Sequence, residues 1–541
     1  MNGFLGSAAR RGRSAGALLI CAFCCGASPA AFAQSREVTT DPRLESSPAE
    51  LRLAGGALNL SLDEAIEIAL RRNLGLALER YSLSQARLGV DQALGIYDLG
   101  FETALSAFSE ESPAASNLDG ADVQEQDGES YRIGLSRLFP SGGRGSVGWS
   151  AARLETNSLF ALLNPSYSSG LDVTFSQPLL RNAGRESTEF DLRVARLTSG
   201  QSRELFTEAV IAMLRNVEEA YWQLVEARDQ LVVSEESKRL AIQLHDNNRV
   251  RVDVGTLAPL ELVSSEAGIA TREEEVIRAR AAVGNAEDVL KTLLRLEGDQ
   301  AWTASVLPET SPEIEHPQVD LAIALSKALS SRPELARERL AQQSRELEAA
   351  FFRRQRKPSL DLDLSYGYNG VGGDIVVRDD DGNVISTSPG GLSDAVDQIT
   401  ETDFPGWSVG LTFGYPIQNR SAKARATIAE LGAEQGKLGI SSIEQRVNTE
   451  VRLAVRALVT AEQELASAKV SVRLQNANLD AERKKFLNGL STSFQILQVE
   501  EDLTAARSRE VRAVTGYRRA LVQYRVATGQ LLEASGIKIE G

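Results

Sequence analysis

Three cysteines, Cys21, Cys24 and Cys25, and two histidines, His245 and His316, are the side chains of this 541-residue chain suited to thiol, imidazole or soft-metal chemistry. Closely spaced cysteines can hold a metal or form a reactive thiol pair. Their setting argues against both. Arg10, Arg11 and Arg13 precede an apolar stretch from Ala15 to Cys25, and the small-residue site Ala31-Phe32-Ala33 follows. That basic, apolar, small-residue succession is the plan of a secretory signal peptide, so residues 1–33 are expected to be cleaved before Gln34. The apolar stretch is too short and too rich in small residues for a membrane-spanning helix.

Without that segment no cysteine remains, and disulfides, thiolate catalysis and cysteine-metal sites are excluded with it. His245 and His316 stand far apart in sequence, so a histidine metal site or catalytic triad has no partner set. The expectation is a protein that is no enzyme and carries neither cofactor nor metal. Carboxylates remain: 74 Asp and Glu against 59 Lys and Arg give a formal charge of −15. Loss of the three leader arginines makes it −15 − 3 = −18. Such a balance excludes nucleic acid as a partner, because phosphate binding needs clustered Lys and Arg.

Some carboxylates alternate with apolar residues. In 359–368, Leu360, Leu362, Leu364, Tyr366 and Tyr368 share one strand face, and Ser359, Asp361, Asp363, Ser365 and Gly367 the other. Segments 171–176 and 408–415 alternate likewise. Tiny or acidic residues on the second face suit a transmembrane barrel strand with lipid outside and water inside. A half-exposed sheet would alternate too. The export signal, with no apolar run fit for a spanning helix, favours the barrel. Glu102, Asp172, Asp361 and Asp363 would then line a lumen that favours cations; a solvated surface face is the other reading. Residues 109–130, with seven acids and no Lys or Arg, and 371–403, with eight acids and one Arg, are expected to be long rim loops. Asp379-Asp380-Asp381-Gly382-Asn383 could offer oxygen ligands to calcium, but a solvated acidic turn is the preferred reading.

Long helices must position these strands. Val210, Leu214, Val217, Tyr221, Leu224, Arg228 and Leu231 step by four and three, as do Val451, Val455, Leu458, Glu462, Leu465, Ala468, Val472, Gln475 and Leu479. That is a coiled-coil period, and some 65 helical residues would run about 100 Å. Each long helix breaks at a glycine, Gly255 or Gly489, and a returning helix follows over 259–297 or 493–530. The pattern occurs twice. Leu62-Asp63-Glu64-Ala65-Ile66 answers to Leu321-Ala322-Ile323-Ala324-Leu325, and Thr174-Phe175-Ser176-Gln177-Pro178-Leu179 to Thr412-Phe413-Gly414-Tyr415-Pro416-Ile417. The organisation expected is signal peptide 1–33, lead-in 34–59, repeat one 60–297, connector 298–318, repeat two 319–532 and tail 533–541.

The leader, duplicated helix–strand units and glycine-tipped hairpins together resemble the TolC-like outer-membrane efflux family from about Leu60 to Leu532. The resemblance is carried by Ser61-Leu62-Asp63-Glu64-Ala65, Gln177-Pro178-Leu179-Leu180-Arg181, Val254-Gly255-Thr256-Leu257 and Phe494-Gln495-Ile496-Leu497-Gln498-Val499-Glu500. It implies an α+β membrane protein: a trimeric transmembrane β-barrel continued by a long periplasmic α-helical coiled-coil barrel, built from two structural repeats per chain. It implies an outer-membrane location extending into the periplasm, outer-membrane lipid around the barrel, and a passive exit duct. Its partners would be two further copies, a periplasmic adaptor (membrane fusion) protein and, through it, an inner-membrane transporter. A type I protein-secretion duct would share the architecture, and a coiled-coil adhesin or scaffold would keep only the helices. Four strands cannot close a barrel alone, so chains must associate. Tyr131–Leu138 and Arg144–Ala152 depart from the family's two strands per repeat. Both alternate about the turn Pro140-Ser141-Gly142-Gly143, predicting an extra hairpin, six strands per chain and an eighteen-stranded barrel.

The resemblance further implies a periplasmic gate near the hairpin tips. Aspartates common six and nine residues after the second tip glycine are here Gln495 and Gln498; the matching positions after Gly255 are Glu261 and Ser264. Glu261, repeated by three-fold symmetry, is the expected charged ring, with a plain surface Glu as the alternative. The tips Gly255, Thr256, Leu257 and Gly489, Leu490, Ser491 are expected to dock the adaptor, with Leu257 and Leu490 exposed.

Overall fold

A computed structural model describes residues 53–54, 57–114, 122–312, 314–317, 319–379 and 383–539. The expected signal peptide with its cysteines, most of the lead-in, and Asp380 to Gly382 of the acidic turn lie outside the described residues. In chain order the strands are β1 Leu53–Ala54, β2 Ala57–Leu60, β3 Gly100–Pro113, β4 Val123–Leu138, β5 Arg144–Thr156, β6 Leu163–Pro178, β7 Ser305–Pro308, β8 Ser359–Arg378, β9 Val384–Ser388 and β10 Pro405–Gly414. The helices are α1 Leu62–Arg72, α2 Leu74–Leu94, α3 Arg185–Thr188, α4 Phe190–Asp253, α5 Leu260–Leu294, α6 Asp299–Thr303, α7 Leu321–Ser331, α8 Pro333–Gln355, α9 Leu392–Glu401, α10 Arg420–Leu487, α11 Ser493–Ala527 and α12 Leu531–Ala534. Among the described residues, Asp91–Arg193 and Leu347–Ala429 form a sheet unit, and the rest a helical unit.

The sheet unit holds a wholly antiparallel sheet in the order β10-β8-β6-β5-β4-β3, with β9 added to the far end of β8. The predicted extra hairpin is β4 and β5, fully within the sheet: Phe101 lies opposite Leu135, Leu135 opposite Val147, and Val147 opposite Val173. Its turn closes through Gly142 N–H to the Phe139 carbonyl (2.8 Å) and Phe139 N–H to the Gly143 carbonyl (2.7 Å). Gly142 has φ 88°, and a Cβ there would stand 2.8 Å from the Asn182 carbonyl oxygen. Only glycine suits that turn.

Strands replace much of the expected rim. β3 runs to Pro113 and β4 begins at Val123; the 371–403 stretch holds the end of β8, all of β9, and α9. The acidic composition misled because charges on an extended ladder above the apolar band meet water as readily as charges on a loop do. Helix α9 buries Ala395 and Ile399 against the sheet. It approaches so closely that a Cβ on Gly370 would lie 1.9 Å from the Ala395 carbonyl oxygen.

In the helical unit, α1 and α7 have 11 residues each, α4 and α10 have 64 and 68, and α5 and α11 have 35 each. At 1.5 Å per residue the two longest span about 96 and 102 Å. The predicted seam is buried where it counts: Val210, Leu214, Val217, Tyr221 and Leu224 in α4, and Val451, Leu458, Leu465 and Leu479 in α10. The Ser61-Leu62-Asp63-Glu64 motif is a capping box, Ser61 Oγ accepting from Glu64 N–H and Glu64 Oε2 from Ser61 N–H. The connector is more ordered than expected. Its β7 pairs in parallel with β2, which in turn pairs with β1, so Ala57–Leu60 is a strand instead of loose lead-in. Tyr221 fixes this corner, its hydroxyl donating to the Leu60 carbonyl and accepting from Thr310 N–H, both at 3.0 Å. The tail also packs: Ile537 and Ile539 rest on the core that buries Leu531. No described helix is long and apolar enough to cross a membrane.

Candidate functional site

The strand register sorts the sheet into two chemically distinct faces. One row runs Phe101, Leu135, Val147, Val173, Tyr366 and Trp407; its neighbour runs Thr103, Ile133, Trp149, Leu171, Tyr368 and Pro405. With Leu360, Leu362, Leu364, Val409, Leu411 and Phe413 these make one continuous apolar face. Trp407, Leu411 and Phe413 are 75%, 67% and 67% exposed, far more apolar surface than a water-facing sheet leaves bare. From Leu360 to Tyr368 the band measures about 27 Å along the strand. Trp149, Tyr366, Tyr368 and Trp407 gather towards one end of the band, and Phe413, opposite Leu360, stands at the other, with Phe175 between them opposite Leu364.

The opposite face carries all four expected wall carboxylates. Glu102 and Asp172 share a row with Gly134, Gly148 and Gly367, and Asp363 and Asp361 follow on the next rows of β8. Hydroxyl pairs join neighbouring strands there: Ser106 to Ser130 at 2.7 Å, Ser146 to Thr174 at 2.6 Å and Ser365 to Ser408 at 2.8 Å. The sequence reading overlooked two cations. Arg132, opposite Ala104, and Arg144, on the row of Ser176 and Asp363, lie on this same face. The wall is therefore polar and of mixed charge. Continuing the alternation into β4 and β5 by even residue number would have found both.

At the far ends of the helical hairpins the two tips are built alike. Thr256 N–H donates to the Arg251 carbonyl (2.8 Å) and Gly255 N–H to Val252 (2.9 Å); Leu490 N–H donates to Lys485 (2.9 Å) and Gly489 N–H to Phe486 (3.1 Å). These paired bonds form Schellman caps, and they require the left-handed φ of 77° at Gly255 and 74° at Gly489. Leu490 is 78% exposed, as expected. Leu257 is not: it is half-buried, and Val254 and Leu260 stand out from that tip instead. Ser491 Oγ (2.5 Å) and Lys485 Nζ (2.9 Å) donate to Glu482, and these bonds hold its carboxyl below the usual range.

The expected gate residues divide. Ser264 and Gln498 line one cleft of about 700 Å³ with Ser237, Arg272 and Thr504. Glu261 and Gln495 lie outside it; Gln495 is exposed, and Glu261 Oε2 is buried without a hydrogen-bond partner. The residues that tie one hairpin to the other were not anticipated. Ser493 Oγ donates to Asn248 Oδ1 (3.2 Å), Gln230 Nε2 donates to Ser508 Oγ (2.9 Å), and the Arg251 guanidinium sits 4.4 Å from the Phe486 ring centroid. Their sequence signal is slight: Asn248, Arg251, Phe486 and Ser493 lie near a tip glycine, and Gln230 and Ser508 lie well away from one. Among the described residues no cluster of His, Cys, Asp and Glu could hold a metal ion.

Residues 324–530 match the family model described as outer membrane efflux protein. That match lies within the second half of the chain. No curated protein matches the chain. Solved structures share the fold of this chain over most of its length. The Campylobacter jejuni CmeC outer membrane channel is 16% identical, covers 87% of this chain and 86% of its own, and gives a TM-score of 0.62. The Vibrio cholerae outer membrane protein VceC is 13% identical over 86% of this chain and 96% of its own, with a TM-score of 0.59. The open state of the Neisseria gonorrhoeae MtrE outer membrane channel is 16% identical over 87% and 89%, with a TM-score of 0.57.

Proposed function

We propose that three copies of this chain close into one passive exit duct, the outer-membrane component of a tripartite efflux system. The observation that carries the reading is the sheet: one face is apolar and exposed, the other small and polar, and both edges are bare. β3 and β10 are exposed along almost their whole lengths. A membrane-spanning sheet must satisfy every backbone group, so the two edges need each other in neighbouring copies. Exposed Ile428, Leu431 and Leu438 on α10 supply a helical surface for the same association. The closely matched helix lengths support a chain built from two repeats.

In this reading an inner-membrane transporter supplies the energy, and a periplasmic adaptor meets the two tips at Leu490, Val254 and Leu260, beside the glycine caps. Glu261 and Gln495 belong to the periplasmic constriction, with Ser264 and Gln498 behind them in the cleft. Purified protein in a planar bilayer should conduct ions, and Glu261→Gln should weaken block by divalent cations. Tip variants Leu260→Asp and Leu490→Asp should lose crosslinking to the adaptor while still forming trimers. A purified trimer that does not conduct would exclude the duct and leave a scaffold.

A further inference from the structure

We infer that β4 and β5 make the exit end of this duct a wide bore, built for cargo about as broad as two packed helices instead of for drug-sized solutes. The inference rests on the trimeric duct proposed above. Three chains of six long strands make an eighteen-stranded wall; without β4 and β5 the count would be twelve. Adjacent strands stand about 4.8 Å apart and tilt by about 40° in such barrels. Eighteen strands then give a perimeter of about 113 Å and a diameter of about 36 Å between strand axes. Twelve give about 75 Å and 24 Å.

What fills that diameter is decided by the polar face. Its rows are mostly Gly, Ala, Ser and Thr: Gly134, Gly148, Ser150 and Gly170 on β4 to β6, Ser365 and Gly367 on β8, and Ser408 and Gly410 on β10. Such side chains take about 5 Å from each wall, half the usual spacing of packed sheets. The clear bore becomes about 26 Å with the hairpin and about 14 Å without it. A single helix with side chains is about 10–12 Å across, so a helical hairpin about 20 Å wide passes only the wider wall. The added strands bring large side chains onto the polar face at Arg132, towards the rim at Gln124, Gln126 and Leu154, and at the turn end at Leu138 and Arg144. The strands still widen the wall, and the sheet unit is then no sieve for small solutes.

Polymer exclusion in planar bilayers tests this. Polyethylene glycols of graded size are added only to the chamber facing the rim, the side of Pro113 and Thr156, and conductance is read for each. The native protein is expected to admit polymers up to about 13 Å in radius, half the bore derived from strand spacing and tilt. A variant lacking 114–157, which joins β3 directly to β6, is expected to exclude those above about 7 Å by the same geometry. A native cut-off near 7 Å would overturn the wide bore and leave the duct standing. Absence of any conductance would overturn both. The native measurement decides the question even if the deletion variant fails to fold.

Discussion

Leu411→Arg separates a lipid-facing sheet from a water-facing one. Leu411 lies opposite Leu362, between Val409 and Phe413 on the same face, and is 67% exposed in the single chain. The apolar run on β10, from Trp407 to Phe413, is about 20 Å long, which puts Leu411 near its middle. If water covers this face, an exposed Leu-to-Arg change shifts stability by no more than about 0.5 kcal/mol. If the hydrocarbon core covers it, Arg at mid-depth costs about 2–4 kcal/mol per chain, between one and three powers of ten in the folding equilibrium. The control is Gly410→Arg, one residue away on the polar face, where a Cβ meets only Asp363 atoms at 3.9–4.0 Å. That variant should stay within about 0.5 kcal/mol of the parent, its guanidinium near a carboxylate in water. Urea titration of protein folded into liposomes, read by gel mobility, gives both values. Equal effects at 410 and 411 would refute the two-faced wall.

At the tips, Gly255→Ala and Gly489→Ala should each destabilise the helical unit by about 1–2 kcal/mol in denaturant melts, because only backbone strain is at issue. No atom lies within 4 Å of either Cβ position, so the two losses should agree closely; a much larger loss at one site would show that its tip is packed against something further. Glu218 is 4% exposed, and burial raises its pKa above the usual value near 4.5 despite Arg525 and Arg518 nearby. With the folded pKa above the unfolded one, its contribution is full below the unfolded value and is lost as pH rises through the folded value. Glu218→Gln should therefore raise the melting temperature at pH 7 and lose that advantage near pH 4, measured as the difference in Tm between variant and parent.

Legibility followed the range of the interactions. The glycine tips could be read because a Schellman cap is written in a few consecutive residues, and the long helices because their seam repeats every seven. The same local reading failed at Leu257, which is half-buried. It failed at 109–130 and 371–403 because acidic residues are compatible with both loops and extended ladders. The ties Asn248 to Ser493 and Arg251 to Phe486 join residues more than 200 positions apart, and nothing in either neighbourhood announces the other.

Alternation of side-chain type along each strand was determined by sequence alone, since successive residues of a pleated strand point to opposite sides. It assigned Glu102, Asp172, Asp361 and Asp363 to the polar side and proposed an added hairpin from 131 to 152. Which strands stand beside which, and in what register, was decided only in the tertiary structure. A shift of one residue would turn every side chain of a strand to the other face. Pairing alone set Arg132 opposite Ala104 and Arg144 on the row of Ser176 and Asp363, and pairing alone left β3 and β10 as edges. An edge is a property of the whole sheet: each strand carries the same backbone donors and acceptors, and only the assembled order determines which remain unmet.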